Sequence, residues 1–271
     1  MARARIITLT TDFGDQDSYV GQMKGTILTI HPDATIVDIT HRVPPGDIET
    51  GAFHVETCFG AFPPGTIHVA VVDPGVGTDR RAIVALAGGQ VFVGPDNGLF
   101  ARILSRHPAS GAWVLQASHY RRAEVAPTFA GRDVFAPAAA WIARGTDPSN
   151  FGPPAGALVG APRTAPTLEA GRPVDVRVVL VDRFGNVVVD ASRNDLAAWL
   201  DETTGLFRGS VDCGSTTVTE SFRTYGEAPH DAPFHLFGSL GYLEVAVRGA
   251  SAAERLGLRA GHSVRLRPGV V

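Results

Sequence analysis

Apolar positions in the first half of the chain fall in short unbroken runs. ARIITLTT (4–11) is rich in β-branched residues and predicts a buried strand, with DFGDQDSY behind it as a polar loop. YVGQMKGTILTIHP has helical length and stops at a proline, TIVDIT is a second short strand, and GDIETGAFHVETCFGAF predicts a helix whose acidic first turn complements its dipole. TIHVAVVD (66–73) is apolar without alternation, which predicts a strand buried on both faces. AIVALAG and QVFVGP continue as strands, and GLFARILSRH predicts a helix after the DNG turn. Strands separated by helices predict an α/β domain with a mostly parallel sheet. Ligands of such sheets bind beyond the carboxyl ends of the strands, where Asp12 and Asp73 stand.

Between Arg144 and Pro173 the pattern breaks into a proline-rich stretch with little periodicity, which predicts a linker. After it VDVRVVLVD, NVVVDA, STTVTESF, GYLEVAV and HSVRLRP are all strand-like, and only DLAAWLDE and SAAERLGL suggest short helices. The expected organisation is an N-terminal α/β domain over residues 1–160 and a smaller β-rich, barrel-like or sandwich domain over 161–271.

Composition narrows the function classes. With 271 residues, 44% of them hydrophobic and 19% charged, and a net charge of -3, the chain fits a globular enzyme and gives no electrostatic reason for a nucleic acid or an anionic membrane as partner. The arginine pairs Arg80, Arg81 and Arg121, Arg122 are read as solvated faces. Cys58 and Cys213 lie far apart with no CxxC spacing, so neither a disulfide framework nor a zinc site is expected, and a reducing cytoplasm is the expected location. MARARIITLTTDFGD is interrupted by Asp12 too early for a signal peptide, and VFAPAAAWIA (134–143) is half a membrane span. No targeting segment and no transmembrane helix are expected.

The stretch VVDPGVGTDRRA (71–82) poses a choice between a phosphate loop and a carboxylate paired with an arginine. Its glycines match neither a Walker loop nor a dinucleotide fingerprint, and it runs into a strand, so no helix N-terminus stands behind it. Asp73 and Arg80, seven residues apart across a tight turn, can converge on one small reactant, the carboxylate accepting a proton from water and the guanidinium orienting that water. A structural pair pinning a hairpin is the even alternative. TTDFGDQDS lacks the regular oxygen ligands and closing glutamate of a calcium loop. Asp12 suits a ribose diol, while Asp15 or Asp17 is expected to cap a helix. The histidines show no metal spacing, and His41, His68 and His119 are expected to make ordinary hydrogen bonds. Gly-x-Ser-x-Gly is missing, which gives no support to covalent acyl chemistry.

Taken in order, TTDFGDQDSYVGQMKG, HPDATIVDITHRVPPGDIETGA, VVDPGVGTDRR, VGPDNGLF, PTFAGRDVFAPAAA, DRFGNVV and GSLGYLEVAV with RGASAAERLG resemble the S-adenosyl-L-methionine hydrolases, or SAM hydroxide adenosyltransferases, relatives of fluorinase and chlorinase. The resemblance spans nearly the whole chain. It implies a two-domain fold, a homotrimer with sites at subunit interfaces, no metal or organic cofactor, and attack of water on ribose C5′ with displacement of methionine to give adenosine. The halogenating relatives carry a tyrosine where this chain has Asp73, so the chain resembles the branch that uses water.

By the same matching, Asp73 and Arg80 act on the water, Asp12 holds the ribose hydroxyls, Asp182 and Asn186 approach the adenosine and amino acid ends, and Phe184 faces adenine. Ser239 matches a position that meets the methionine carboxylate in halogenating relatives, whose neighbouring arginine is Leu240 here. Arg248 and Ala250 fall near the adenine-side loop. Glu244 shares a strand face with Tyr242 and is read either as the partner of an ammonium or as an exposed strand residue. The family pattern TFHGRD reads TFAGRD here, so Ala130 stands at the position of a catalytic histidine. Hydrolysis slowed at that step follows, whether the natural protein lacks the group or it was substituted. The rival readings are a SAM-dependent halogenase, which a carboxylate at 73 opposes by repelling halide, and a non-catalytic SAM or adenosine binding protein.

Overall fold

The computed structural model describes residues 6–160, 166–169 and 171–269. The chain divides into two compact units, Met1–Arg163 and Thr164–Val271. The first unit runs β1 (Ile6–Thr11), α1 (Tyr19–Ile30), β2 (Thr35–Thr40), α2 (Ile48–Phe59), β3 (Ile67–Val71), β4 (Ala82–Ala87), β5 (Gln90–Pro95), α3 (Ala101–Arg106), β6 (Gly111–Val114) and α4 (Ala136–Ala143). Its sheet has the order β2-β1-β3-β5-β4-β6. The first four of these pair in parallel, and β4 runs antiparallel to both its neighbours, β5 and β6.

The unbroken apolar run of β3 has a direct cause. Ile67, Val69 and Val71 join the core against α1 and α4, while Ala70 and Val72 join the core against α2 and α3. A strand with helices on both faces has no polar side to show, and each aliphatic side chain buried this way stabilises the unit by about 1.5–3 kcal/mol. Because β1 lies beside β3 in parallel, Asp12 and Asp73 follow the carboxyl ends of adjacent strands.

VFAPAAAWIA, read from sequence only as an apolar stretch, supplies the end of a π-helical turn (Gly131–Phe135) and the whole of α4. Its alanines and Ile142 are buried on most sides, as expected of a helix apolar all round. Pro137 falls in the first turn, where its missing N–H has no intrahelical partner in any case. Asp47 caps α2, its carboxylate accepting from the Thr50 amide at 3.1 Å. The cap expected of Asp15 or Asp17 belongs to neither: Ser18 occupies the cap position of α1, and Asp15 pairs with Arg42 instead.

The expected linker begins later than Arg144. Residues 145–160 still belong to the first unit, where Phe151 is buried and the chain hydrogen-bonds along β6, Val114 N donating to Pro153 O and Ala155 N to Ala112 O, both at 2.9 Å. Prolines are tolerated there because β6 is an edge strand.

The second unit contains β7 (Val174–Val181), β8 (Val187–Ser192), β9 (Gly209–Cys213), β10 (Thr216–Val218), β11 (Pro233–Phe237), β12 (Tyr242–Val247), α5 (Ala252–Leu256) and β13 (Ser263–Pro268). These strands form an antiparallel sheet of order β10-β9-β13-β7-β8-β12-β11. The chain just after β10 meets β11, with His235 N donating to Glu220 O at 2.9 Å and Phe222 N to His235 O at 3.2 Å, so the sheet nearly closes into a barrel. STTVTESF is therefore β10 plus this closing segment. DLAAWLDE forms only the 3-10 turn Ala197–Trp199. The strands β6, β9 and β11 have no counterpart in the sequence reading; each is at most five residues long and too short for a clear period. Among the described residues no helix is long and apolar enough to cross a membrane.

Candidate active site

Two sets of the expected residues assemble, one in each unit. In the first, β3 delivers Asp73 at its carboxyl end and the chain turns twice within the next five residues, Val76 N donating to Asp73 O and Thr78 N to Gly75 O. Gly77 takes φ +81°, a left-handed conformation that a side chain would strain. The turns return Arg80 to Asp73: Nε donates to both carboxylate oxygens, at 2.8 and 3.0 Å, and Nη2 donates to Oδ2. The carboxylate is 4% exposed and the guanidinium 14%. Arg80 also lies over the Phe135 ring, 5.2 Å from its centroid. The fork takes three of the carboxylate's four lone-pair sites, two on Oδ2 and one on Oδ1, so the contact that pins the loop leaves Oδ1 able to accept a water proton.

The reading of the arginine pairs as solvated faces needs correction. Arg81 turns the other way from Arg80, to Asp96 and to the carbonyls of Ala155 and Ala157, and Arg121 donates to Leu115 O. Arg122 is 46% exposed yet still pairs with Asp133, Nε to Oδ1 at 3.5 Å. Among the histidines, His41 and His68 bond threonine hydroxyls at 2.9 and 2.8 Å, and His119 packs its ring against Tyr120 and Trp141.

Asp12 joins the same neighbourhood through Gly46, whose amide donates to Asp12 Oδ2 at 2.8 Å and whose Cβ position is 4.0 Å from Pro74. Asp12 lines a cleft of about 560 Å³ with His41, Arg42 and Pro44. Residues 127–135 contact the Asp73 loop at both ends: Pro127 O is 3.3 Å from where a Cβ on Gly77 would stand, and Phe135 carries Arg80. Ala130 lies between these contacts, in helical conformation at the start of the π turn. Asp133 fastens that turn, fully buried and accepting from Arg132 Nε at 2.6 Å and Ala126 N at 2.8 Å. Burial opposes its charge, but those hydrogen bonds and the Arg132 and Arg122 charges hold it below the ordinary carboxylate range.

The second set surrounds a cavity of about 900 Å³ in the barrel unit. Asp182, Phe184 and Asn186 come from the β7–β8 hairpin, Ser239 from the turn before β12, and Glu244, Arg248 and Ala250 from β12 and beyond. Asp182 organises the hairpin: Oδ1 accepts from the amides of Phe184 and Asn186, both at 2.8 Å, and Oδ2 from Asn186 Nδ2 at 2.9 Å. Phe184 is thereby held 78% exposed, an apolar surface available to a planar ligand. Arg248 donates to the carbonyls of Gly226 and Ala228, each at 3.1 Å.

Glu244 is no exposed strand residue, being only 5% exposed. Burial raises its pKa, the nearby Asp182 charge adds to the rise, and a hydrogen bond from Tyr225 opposes it. Tyr242, two residues before Glu244 on the same strand, does not line the cavity and is buried opposite Ser192. Two residues escaped the sequence reading. Tyr225 gives no periodic signal inside the polar loop after β10, yet its hydroxyl donates to Glu244 Oε2 at 2.6 Å. Gly238 looks like any turn glycine, yet a Cβ there would collide with Glu244 Oε1.

Among the described residues no group of three or more His, Cys, Asp or Glu side chains is arranged to hold a metal ion. Cys58 and Cys213 are unpaired, and burial pushes their thiols up to about 11 and about 12.

Residues 7–152 match the model of the SAM hydroxide adenosyltransferase N-terminal domain, and residues 176–265 that of the C-terminal domain. A curated (R)-S-adenosyl-L-methionine hydrolase of Thermus thermophilus is 38% identical, with 97% of this chain and 99% of the relative covered. A fluorinase of Nocardia brasiliensis is 29% identical, with 98% of each covered. A crystal structure of an uncharacterized conserved protein from Thermotoga maritima superimposes with a TM-score of 0.88 at 29% identity, over 96% of this chain and 99% of that one. The chain belongs to the SAM hydroxide adenosyltransferase family.

Proposed function

We propose that this protein hydrolyses S-adenosyl-L-methionine to adenosine and L-methionine. The observation that carries the reading is the Asp73–Arg80 pair beyond the carboxyl end of β3, in a chain whose family relatives are named for this hydrolysis. The sulfonium leaves as a neutral thioether and needs no proton, so the difficulty lies in the nucleophile. As the water oxygen bonds to C5′, the C5′–S electron pair neutralises sulfur and the water proton passes to Asp73. Arg80 fixes the carboxylate and orients the water, and holding the reactants in line adds to base catalysis.

In this reading Asp12 holds the ribose hydroxyls. The barrel cavity takes the rest of the substrate, with Phe184, Asn186, Arg248 and Ala250 toward adenine and Asp182, Ser239 and Glu244 toward the amino acid end. Ala130 leaves the proton transfer without a helper, which slows turnover and spares binding. Incubation with substrate in oxygen-18 water, followed by mass spectrometry, is expected to find the label in the 5′ hydroxyl of adenosine. Unlabelled adenosine, or a 5′-chloro nucleoside formed in chloride buffer, would overturn the reading.

Assembly as a homotrimer with sites at subunit interfaces, and a cytoplasmic location, belong to the same proposal. The family likeness supports the first and the two unpaired thiols the second. Light scattering on the purified protein is expected to give three chain masses; a monomer at micromolar concentration contradicts it.

A further inference from the structure

The Tyr225–Glu244 contact has no part in activating water, yet it is held with care. Tyr225 sits in the loop between β10 and β11, and that loop is fastened on several sides. Arg248 bonds the carbonyls of Gly226 and Ala228, Arg223 N donates to Glu227 Oε2 at 3.0 Å, and the Tyr225 ring meets Phe234 edge-on at 6.4 Å. So placed, the hydroxyl reaches Glu244 Oε2 at 2.6 Å, the short distance of a charge-assisted bond. The other oxygen stands beside Gly238, where any side chain would collide with it.

A carboxylate 5% exposed, on a cavity whose lining includes Val188, Val247 and Leu240, is an expensive group to keep charged. Of the other ionisable groups on the cavity, Asp182 disfavours that charge, while Arg248 is engaged with loop carbonyls; the residues opposite Glu244 in neighbouring strands, Val188 and Leu236, are apolar. The Tyr225 hydroxyl is thus the donor that favours the ionised form.

We propose that Tyr225 is a positioning and specificity residue: by holding Glu244 Oε2, it keeps that carboxylate ionised and presents Oε1 to a cationic amine, the α-ammonium of the substrate's amino acid part. The inference rests on the proposed substrate and gives the cavity a selection rule. It favours nucleosides that carry an aminoalkyl sulfonium over those whose side chain lacks an amine.

The test compares Tyr225→Phe with the wild-type chain by calorimetric binding of two probes, S-adenosyl-L-methionine and 5′-methylthioadenosine, the latter keeping nucleoside and sulfur but lacking the ammonium. Removing the hydroxyl is expected to weaken S-adenosyl-L-methionine binding about tenfold on the acid side of the wild-type midpoint, where Glu244 is mostly protonated in both proteins, to change 5′-methylthioadenosine binding less than about twofold at every pH, and to have little effect on either in a Glu244→Gln background. Because binding needs Glu244 ionised, affinity falls with decreasing pH, and the midpoint of that fall is expected to move up by about one pH unit in Tyr225→Phe. Raising the pH therefore restores the variant, a recovery that a folding defect would not show. Equal weakening of both probes, or unchanged binding of S-adenosyl-L-methionine, overturns the inference. A wild-type chain that binds 5′-methylthioadenosine and not S-adenosyl-L-methionine overturns the proposed substrate instead.

Discussion

Replacing Asp73 by Asn is expected to lower kcat for adenosine release about a hundredfold to ten-thousandfold, the range for loss of a positioned proton acceptor. Asn keeps the size of the side chain and one acceptor for Arg80, but it cannot take a proton from water. Its amide N–H places a donor against a guanidinium that is 14% exposed, so some stability is lost with activity. Breaking a buried pair from one side costs about 3–5 kcal/mol, against a folding stability of about 5–15 kcal/mol. Thermal unfolding therefore has to accompany the rate measurement. A folded Asp73→Asn protein that binds S-adenosyl-L-methionine and fails to release adenosine is the expected result. A kcat within twofold of the parent would reduce the pair to a pin for the 73–80 loop.

The second large effect runs in the opposite direction. Ala130→His is expected to raise kcat by about a hundredfold to ten-thousandfold, with the dissociation constant for S-adenosyl-L-methionine little changed. Position 130 lies between Pro127, which touches the Gly77 turn, and Phe135, which carries Arg80. On the proposed mechanism an imidazole there accepts or relays the water proton while neutral, so the gain should fade as pH falls below about 6.5. In an Asp73→Asn background the same substitution should give little gain, because residues that act as one unit are not additive. Single-turnover adenosine release, followed by chromatography for the parent, both single variants and the double variant, reads all of this. Identical turnover for the parent chain and the Ala130→His variant would remove that position from the mechanism.

Much of the first unit was legible before folding because its central strands, β3 and β5 above all, are buried on both faces. A run such as TIHVAVVD needs no partner to be recognised, and its end locates Asp73. The turn at PGVG is equally local, so the spacing of Asp73 and Arg80 anticipated a contact that the structure forms. Legibility failed where a residue's role depends on distant chain. The prolines at 153 and 154 suggested a linker, but they lie along the edge strand β6. Arg80 and Arg81 look alike in sequence and diverge because their acceptors, Asp73 and Asp96, lie on opposite sides in the chain. Tyr242 and Glu244 alternate regularly along β12, yet Glu244 lines the cavity and Tyr242 does not.

The sequence by itself determined the fold class, the strand that ends in Asp73, the turn that returns Arg80 to it, and, through its ordered motifs, the family. These rest on periodicity and on contacts between residues near in the chain, where backbone geometry leaves few choices. Only the tertiary structure decided that residues 127–135 lie against that turn, that Glu244 is buried, and that Tyr225 donates to it across nineteen positions. Burial and hydrogen bonding between distant segments depend on how the sheet and barrel close, and no local pattern of residues encodes that closure.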